Sequence, residues 1–230
     1  MKTIGLIGGM SWESTALYYR LINQDVKRRC GGLHSAPLIL HSVDFAEIAE
    51  LQHNNDWSSL IRELCNIAIN LQQAGAQALV ICTNTMHKVA ADITEVVHIP
   101  VIHIGDAIFD ACKQNDFKKV ALLGTAFTME QPFLKEHLRN GRLDVLIPNQ
   151  PERQIVHRVI YEELCQGRVV EQSKRQYQAI IEQLKQQGAE AVILGCTEIG
   201  LLISQDDSVL PVLDTTVLHA KAAVDFIVEE

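Results

Sequence analysis

The stretch LQQAGAQALVICTNT, residues 71–85, recurs in altered form as LKQQGAEAVILGCTE, residues 184–198. Each copy passes from polar residues through a glycine into a short apolar run, and ends in three residues that include hydroxyl or thiol groups, Thr-Asn-Thr in the first copy and Cys-Thr-Glu in the second. Two further pairs of segments match in the same order, residues 2–9 with 118–125 and residues 100–103 with 211–214. Because each pair is separated by about half of the chain, the sequence predicts two copies of one structural unit.

Apolar runs rich in β-branched residues alternate with amphipathic segments along the chain. Runs that are apolar throughout are typical of parallel strands that helices bury on both faces. We therefore predict an α/β fold with two pseudo-symmetric, doubly wound parallel-sheet domains and an active site in the cleft between them. The first domain is predicted to comprise residues 1–110 and about 208–230, and the second residues 111–207. The predicted strands are Thr3–Gly8, Leu38–Val43, Ala78–Cys82, Val101–Ile104, Val120–Gly124, Asp144–Pro148, Ala191–Gly195 and Val212–Leu213.

Composition excludes several classes of protein. Of the 230 residues 47% are hydrophobic, but no apolar stretch approaches the ~20 residues of a membrane-spanning helix, and the first residues lack the features of a signal peptide. The formal charge of −8 comes without a basic patch, which argues against nucleic-acid binding. The six cysteines show no disulfide or zinc-ligand spacing, so we expect no bound metal. The sequence thus indicates a cytoplasmic protein with a small-molecule partner and with no membrane or nucleic-acid partner.

The carboxyl ends of the predicted strands are the candidate site, because ligands of open parallel sheets bind there. These ends carry small, hydroxyl-bearing or reactive residues at positions 8–11, 83–85, 124–128 and 196–198. Cys196 is the candidate reactive thiol, since a helix that starts just after it would stabilise a thiolate and lower the thiol pKa. The alternative role for this cysteine is that of a small buried apolar residue.

Thr83–Thr85 in the first copy correspond to Cys196–Glu198 in the second. The hydroxyls and the amide of Thr83–Thr85 are suited to bind the carboxylate and ammonium groups of an amino acid, with helix N-capping as the alternative role. Glu198 is predicted to pair with the ammonium group or to orient Cys196, with a first-turn helix acid as the alternative. His87, shortly after Thr85, is interpreted as a helix-surface or packing histidine, with tuning of the site as the alternative role.

Together these motifs resemble the aspartate/glutamate racemase family. The resemblance covers essentially the whole chain, through the segments Gly8–Met10, Cys82–His87, Leu123–Thr125, Tyr161–Leu164 and Leu194–Ile199. It implies a racemase that needs no pyridoxal phosphate or other cofactor, in which two cysteines flank the substrate α-carbon. One cysteine removes the α-proton as a thiolate, and the other returns a proton to the opposite face. The cysteine that matches Cys196 is expected to act on the L-enantiomer.

The sequence departs from the family pattern at three places. Thr83 replaces the first catalytic cysteine, and Cys82 is not an obvious substitute because neighbouring strand residues point to opposite faces. Members that bind a side-chain carboxylate often carry an arginine and a lysine where this chain has Phe45 and Cys165. A common Gly-Pro pair is replaced by Ser11-Trp12.

These departures predict a one-thiol racemase that acts preferentially on L-aspartate, L-glutamate or a related L-amino acid. A thiolate at Cys196 removes the α-proton, and a water near Thr83 returns a proton. The alternatives are a single-cysteine decarboxylase or isomerase of the same superfamily and a non-catalytic amino-acid-binding protein. The resemblance also makes a homodimer plausible. The predicted catalytic residues are Cys196 and Thr83, and the predicted substrate-binding residues are Met10, Gln52, Asn84, Thr85, Thr125, Thr128, Thr197 and Glu198.

Overall fold

The computed structural model describes residues 1–229 and divides into two compact units. The first unit contains residues 1–104 and the C-terminal residues from His219 onward, and the second contains Gly105–Leu218. Each unit holds one four-stranded sheet. Within residues 1–229, no helix is both long enough and apolar enough to cross a membrane.

The sheet of the first unit is parallel throughout. Its strands are β1 (Ile4–Gly8), β2 (Leu38–Ser42), β3 (Ala78–Ile81) and β4 (Val101–Ile102), in the spatial order β2-β1-β3-β4. Its helices are α1 (Trp12–Cys30), α2 (Phe45–His53), α3 (Trp57–Gln73) and α4 (Ala90–Val96), with a 3₁₀ helix over Thr85–Val89. The first three begin where the sequence supplies a cap, because Ser11, Asp44 and Asp56 each accept a backbone N–H at the helix start.

The second unit repeats this arrangement. Its parallel strands are β5 (Lys119–Leu123), β6 (Asp144–Leu146), β7 (Ala191–Leu194) and β8 (Val212–Asp214), in the order β6-β5-β7-β8. The helices that follow along the chain are α5 (Ile104–Gln114), α6 (Ala126–Glu130), α7 (Pro132–Asn140), α8 (Gln150–Glu162), α9 (Glu171–Gln186) and α10 (Thr215–Val228), with 3₁₀ helices over Leu164–Gln166, Thr197–Leu201 and Gln205–Asp207. The chain passes from one unit to the other within α5 and within α10.

The equivalent strand orders confirm the predicted α/β fold of two pseudo-symmetric parallel sheets. The bounds of the units differ from those predicted, because residues 105–110 and 208–218 lie in the second unit. The physical reason for the second difference is strand pairing: β8 is parallel to β7, with Leu213 in register with Ile193. This segment therefore completes the second sheet, and only the helical residues from His219 onward pack in the first unit.

Strand β3 shows why the strands are apolar throughout. Ala78 and Val80 pack in the cluster that contains Tyr18, whereas Leu79 and Ile81 pack in the cluster on the other face. All four strand residues are fully buried. Burial of one such Leu, Ile or Val side chain stabilises the fold by about 1.5–3 kcal/mol. Both faces of the strand are thus fixed in the core, and its carboxyl end holds the segment that follows.

Candidate active site

Cys196 lies at the carboxyl end of β7, where the chain leaves the sheet. Its backbone is extended (φ −144°, ψ 132°), and the 3₁₀ helix Thr197–Leu201 starts at the next residue. The thiol donates a hydrogen bond of 2.9 Å to Oε2 of Glu198, and the Thr197 hydroxyl donates one of 2.7 Å to the same oxygen. The strand end in the second unit therefore carries a half-buried cysteine residue whose thiol is hydrogen-bonded to a carboxylate.

The surroundings of Cys196 raise the pKa of its thiol well above the ordinary value of 9.0. Withdrawal of the sulfur from solvent is the main cause, and the negative charge of Glu198 adds to it. The predicted lowering of this pKa by a helix N-terminus is therefore wrong. The helix that follows is a 3₁₀ segment of five residues, and its N-terminus does not outweigh burial and a carboxylate at 2.9 Å.

Gly195 allows the end of β7 to approach β5 closely. A Cβ at this position would lie 3.0 Å from the backbone oxygen of Leu123 and 3.2 Å from the methyl carbon of Thr128. The buried Thr128 donates its backbone N–H to Oγ1 of Thr125, and the two hydroxyl oxygens are 3.2 Å apart. The structure thus brings the predicted residues Thr125 and Thr128 to the strand end that neighbours Cys196.

The corresponding strand end in the first unit begins with a tight turn. The backbone N–H of Thr83 donates a hydrogen bond of 2.8 Å to the carbonyl of Ile81, which closes a γ-turn after β3. Thr83 is half-buried and Asn84 is buried. Asn84 occupies the N-cap position of the 3₁₀ helix Thr85–Val89 without a side-chain capping hydrogen bond, so N-capping does not account for this residue.

The end of β1 requires glycine. Gly9 has φ +91°, and a Cβ there would lie 2.3 Å from the backbone oxygen of Val43. Its N–H donates a hydrogen bond of 2.9 Å to the hydroxyl of Thr15 in α1. Gly9 thus permits the tight turn between β1 and α1.

The other residues singled out from the sequence differ in their surroundings. Met10 is only 6% exposed and packs in the core of the first unit, while Gln52 is half-buried on α2. Cys82 is buried in the core cluster that contains Tyr18, and burial raises the pKa of its thiol. Phe45 and Cys165 are exposed. The burial of Cys82 agrees with the argument that it does not replace the missing first cysteine.

Three titratable residues of the second unit had no predicted role. Burial, followed by the neighbouring Cys196, raises the pKa of Tyr161, whose ring centre is 4.8 Å from that of His157. His157 accepts a backbone N–H at the start of α6 through Nδ1. Asp214 ends β8, accepts two backbone N–H groups at the start of α10, and has a pKa raised by burial. The spacing of His157 and Tyr161 on one helix face was the signal that could have indicated them.

The two α/β units have the same topology and carry hydroxyl groups at their strand ends, and in the second unit a thiol is hydrogen-bonded to a carboxylate. The family model described as Asp/Glu/Hydantoin racemase matches residues 7–223, and the chain belongs to this family. The enzyme class is therefore that of the amino-acid racemases, which are isomerases.

Individual relatives agree with this assignment. A crystal structure from Yersinia pestis, classed as an Asp/Glu racemase, is 50% identical, covers 100% of both chains and superposes with a TM-score of 0.96. An aspartate racemase homologue from Pyrococcus horikoshii is 34% identical over 100% of both chains, with a TM-score of 0.88. The broad specificity amino-acid racemase RacX of Bacillus subtilis is 20% identical over 96% of both chains. The family resemblance inferred from the residues is confirmed.

Proposed function

We propose that the chain is an amino-acid racemase that acts preferentially on L-aspartate, L-glutamate or a related L-amino acid. The observation that supports the proposed chemistry most directly is the hydrogen bond of 2.9 Å from Cys196 Sγ to Glu198 Oε2. A thiol with a raised pKa needs a base before it can remove an α-proton, and Glu198 is that base in our proposal. Transfer of the thiol proton from Cys196 to Glu198 becomes favourable when the substrate ammonium group lies beside the sulfur, since a positive charge stabilises the thiolate.

The first half of the reaction moves two protons in sequence. Cys196 gives its S–H proton to Glu198, which leaves a thiolate and a carboxylic acid. The thiolate then forms a new S–H bond with the substrate α-proton, and the electron pair of the broken C–H bond remains on the α-carbon. Hydrogen-bond donors at the substrate carboxylate stabilise the charge that develops there.

The second half of the reaction uses water, because the hydroxyl of Thr83 is far too weak an acid and base to exchange protons itself at neutral pH. In this proposal Thr83 orients a water molecule that protonates the carbanion on the face opposite to Cys196. The hydroxide that remains takes up the proton held by Glu198. Cys196 is then again a thiol and Glu198 a carboxylate, so that atoms and charges balance over one turnover.

The remaining predicted residues bind the substrate in this scheme. They are five polar residues near the strand ends, together with one apolar residue and one glutamine: Asn84, Thr85, Thr125, Thr128, Thr197, Met10 and Gln52. Phe45 and Cys165 stand where family members often carry an arginine and a lysine for a side-chain carboxylate. A distal carboxylate would therefore depend on neutral donors, each worth roughly 1 kcal/mol less than a charged one. We accordingly propose related L-amino acids as substrates beside the two acidic ones.

The proposal also includes catalysis without a cofactor or metal, a cytoplasmic location and a homodimer. Treatment with hydroxylamine, which removes pyridoxal phosphate, and dialysis against a chelator should leave the activity unchanged. Light scattering of the purified protein should give twice the chain mass of 25.7 kDa if the dimer forms.

The experiment that tests the function is incubation with a panel of L-amino acids in deuterium oxide, with the loss of each α-proton signal followed by NMR. We expect exchange for at least one L-amino acid, loss of that exchange in Cys196→Ala, and retention in Cys30→Ala, which removes an exposed thiol of the first unit. Exchange that persists in Cys196→Ala would refute the assignment of the base.

Two results would favour the alternative functions instead. Release of carbon dioxide from a disubstituted malonate, without exchange of any amino-acid α-proton, would indicate a decarboxylase. Binding of an amino acid by calorimetry, again without exchange, would indicate a non-catalytic binding protein.

A further inference from the structure

His87 is a buried histidine whose two ring nitrogens both contact backbone groups of the first unit. Nδ1 lies 2.8 Å from the carbonyl oxygen of Thr83, and Nε2 lies 3.1 Å from the backbone nitrogen of Ile104. A backbone amide nitrogen only donates, so Nε2 accepts this hydrogen bond and carries no hydrogen. Nδ1 therefore carries the ring hydrogen and donates it to Thr83.

His219 has the opposite tautomer by the same argument. Its Nε2 lies 2.6 Å from the carbonyl oxygen of Ile102, which only accepts, so Nε2 carries the hydrogen. Its Nδ1 then accepts the hydroxyl of Tyr18 at 2.8 Å. Tyr18 and His219 are both fully buried. Contacts with backbone groups and with one phenol thus fix the tautomers of two neighbouring histidines.

The surroundings of His87 keep its ring neutral. The titratable groups that face it are the rings of His219 and His103, whose centres are 5.3 and 4.7 Å away. Burial, followed by His219 and His103, lowers the pKa of His87 well below 6.5. Protonation would place a second hydrogen on Nε2, where the N–H of Ile104 already points. The hydrogen bond to Thr83 is therefore made by a neutral ring in one fixed tautomer.

The Thr83 carbonyl belongs to the turn that carries the Thr83 hydroxyl and the Asn84 amide. We propose that His87 is a positioning residue, whose Nδ1–H hydrogen bond to the Thr83 carbonyl holds this turn in the orientation that Thr83 needs to place the proton-donating water. This inference rests on the proposed function of Thr83. A histidine that only filled space would need no particular tautomer, whereas His87 joins two backbone groups that are 21 residues apart in the chain.

Two amide substitutions separate the two hydrogen bonds of His87. In His87→Asn the side-chain NH₂ lies near the position of Nδ1 and keeps a donor for Thr83. In His87→Gln the longer amide reaches the position of Nε2 and keeps an acceptor for Ile104. The exposed His98, whose side chain is outside this network, provides the control variant His98→Gln.

We expect kcat for α-proton exchange of an L-substrate to fall about 10–100-fold in His87→Gln, and KM to change by less than about threefold. The reason is that a misdirected group near the reacting atoms slows the chemical step more than it weakens substrate binding. His87→Asn should retain kcat to within about threefold of the wild type, and His98→Gln should match the wild type. Equal losses of kcat in the Asn and Gln variants would overturn the positioning role, since only one of them lacks the donor to Thr83.

A second measurement needs no turnover. Long-range ¹H–¹⁵N spectra of the wild-type protein at pH 7 should show the Nδ1–H tautomer for His87 and the Nε2–H tautomer for His219. An Nε2–H tautomer at His87 would overturn the inference whatever the kinetics show.

If the expected tautomers are present but no L-amino acid exchanges its α-proton, the proposed function fails and with it the catalytic purpose of the turn. If the wild type is active and the two variants are equally impaired, only the positioning role fails.

Discussion

The thiol of Cys196 and the carboxylate of Glu198 form a hydrogen-bonded pair, with Sγ 2.9 Å from Oε2. The same carboxylate oxygen also accepts the hydroxyl of Thr197. A carboxylate in this position raises the pKa of the thiol through its charge, yet it also accepts the hydrogen bond of the thiol and so is placed to take the thiol proton. Removal of the Glu198 charge should therefore have opposite effects on the resting thiol and on catalysis.

For catalysis, we expect Glu198→Gln to lower kcat for α-proton exchange by about 100-fold, the lower end of what a positioned general base contributes. The amide keeps the size of the side chain but accepts no proton at neutral pH. Glu162→Gln, which changes an exposed carboxylate on α8, serves as the matched control and should retain wild-type turnover. The measurement is the initial rate of deuterium incorporation, and an unchanged kcat in Glu198→Gln would refute the base.

For the resting thiol, we expect the same Glu198→Gln variant to react faster with iodoacetamide at Cys196. The wild-type pKa is raised above 9.0, so little thiolate is present at pH 8, and loss of the neighbouring charge lowers the pKa and increases the thiolate fraction. Peptide mass spectrometry gives the labelling rate at Cys196, with the exposed Cys30 and Cys165 as internal references. A slower reaction in the variant would show that Glu198 promotes the thiolate in the resting enzyme as well.

Gly9 and Gly75 offer a matched test of the turn after β1. Both have left-handed backbone angles, φ +91° and +100°, but a Cβ at Gly75 meets nothing within 4 Å, whereas at Gly9 it lies 2.3 Å from the Val43 oxygen. Gly75→Ala should lower the free energy of unfolding by about 1–2 kcal/mol, the cost of the backbone conformation alone. Gly9→Ala should cost more, because the clash is with backbone atoms. Urea unfolding measures both, and equal losses would show that the Gly9 turn relaxes freely.

Much of the fold can be predicted from the sequence, because the strands of a parallel sheet are buried on both faces and therefore appear as short, continuously apolar runs. Val80 and Ile193 are examples of such fully buried strand residues. The repeat then places Cys196 and Thr83 at equivalent strand ends. The pKa of Cys196 was mispredicted because it depends on how the Glu198 side chain folds back onto the thiol, which residue spacing does not determine. The histidine network was missed because Tyr18 and His219 are 201 residues apart in the chain and meet only in the folded unit.

His87 should make the protein less stable in acid. Its pKa in the folded state lies well below 6.5, so below about pH 6.5 the unfolded chain takes up a proton that the folded chain does not. The free energy of unfolding therefore falls as pH decreases below that value and is independent of this group above it. His87→Gln should reduce the slope between pH 6.5 and 5 by up to about 1.4 kcal/mol per pH unit. Urea unfolding at each pH measures the slope, and an unaltered slope in His87→Gln would mean that His87 takes up its proton in the folded state too.

Thr83→Cys should change the direction in which the reaction can start. Thr83 is the second residue after β3, and Cys196 is likewise the second residue after β7. In the alignment of the two copies, Thr83 therefore stands where the family is expected to carry its first cysteine. With threonine there, the D-enantiomer meets no thiol that can begin proton abstraction, so we expect the wild type to exchange the α-proton of an L-substrate much faster than that of its D-form. The cysteine variant supplies a thiol and should raise the D-to-L rate by about 10-fold or more, toward the range of a general base.

Thr85→Cys, two residues further along the same segment, is the matched control and should give no gain from the D-side. Deuterium incorporation measured from each pure enantiomer separates the two directions, and a D-to-L rate that stays at the wild-type level in a folded Thr83→Cys variant would show that Thr83 does not face the α-carbon.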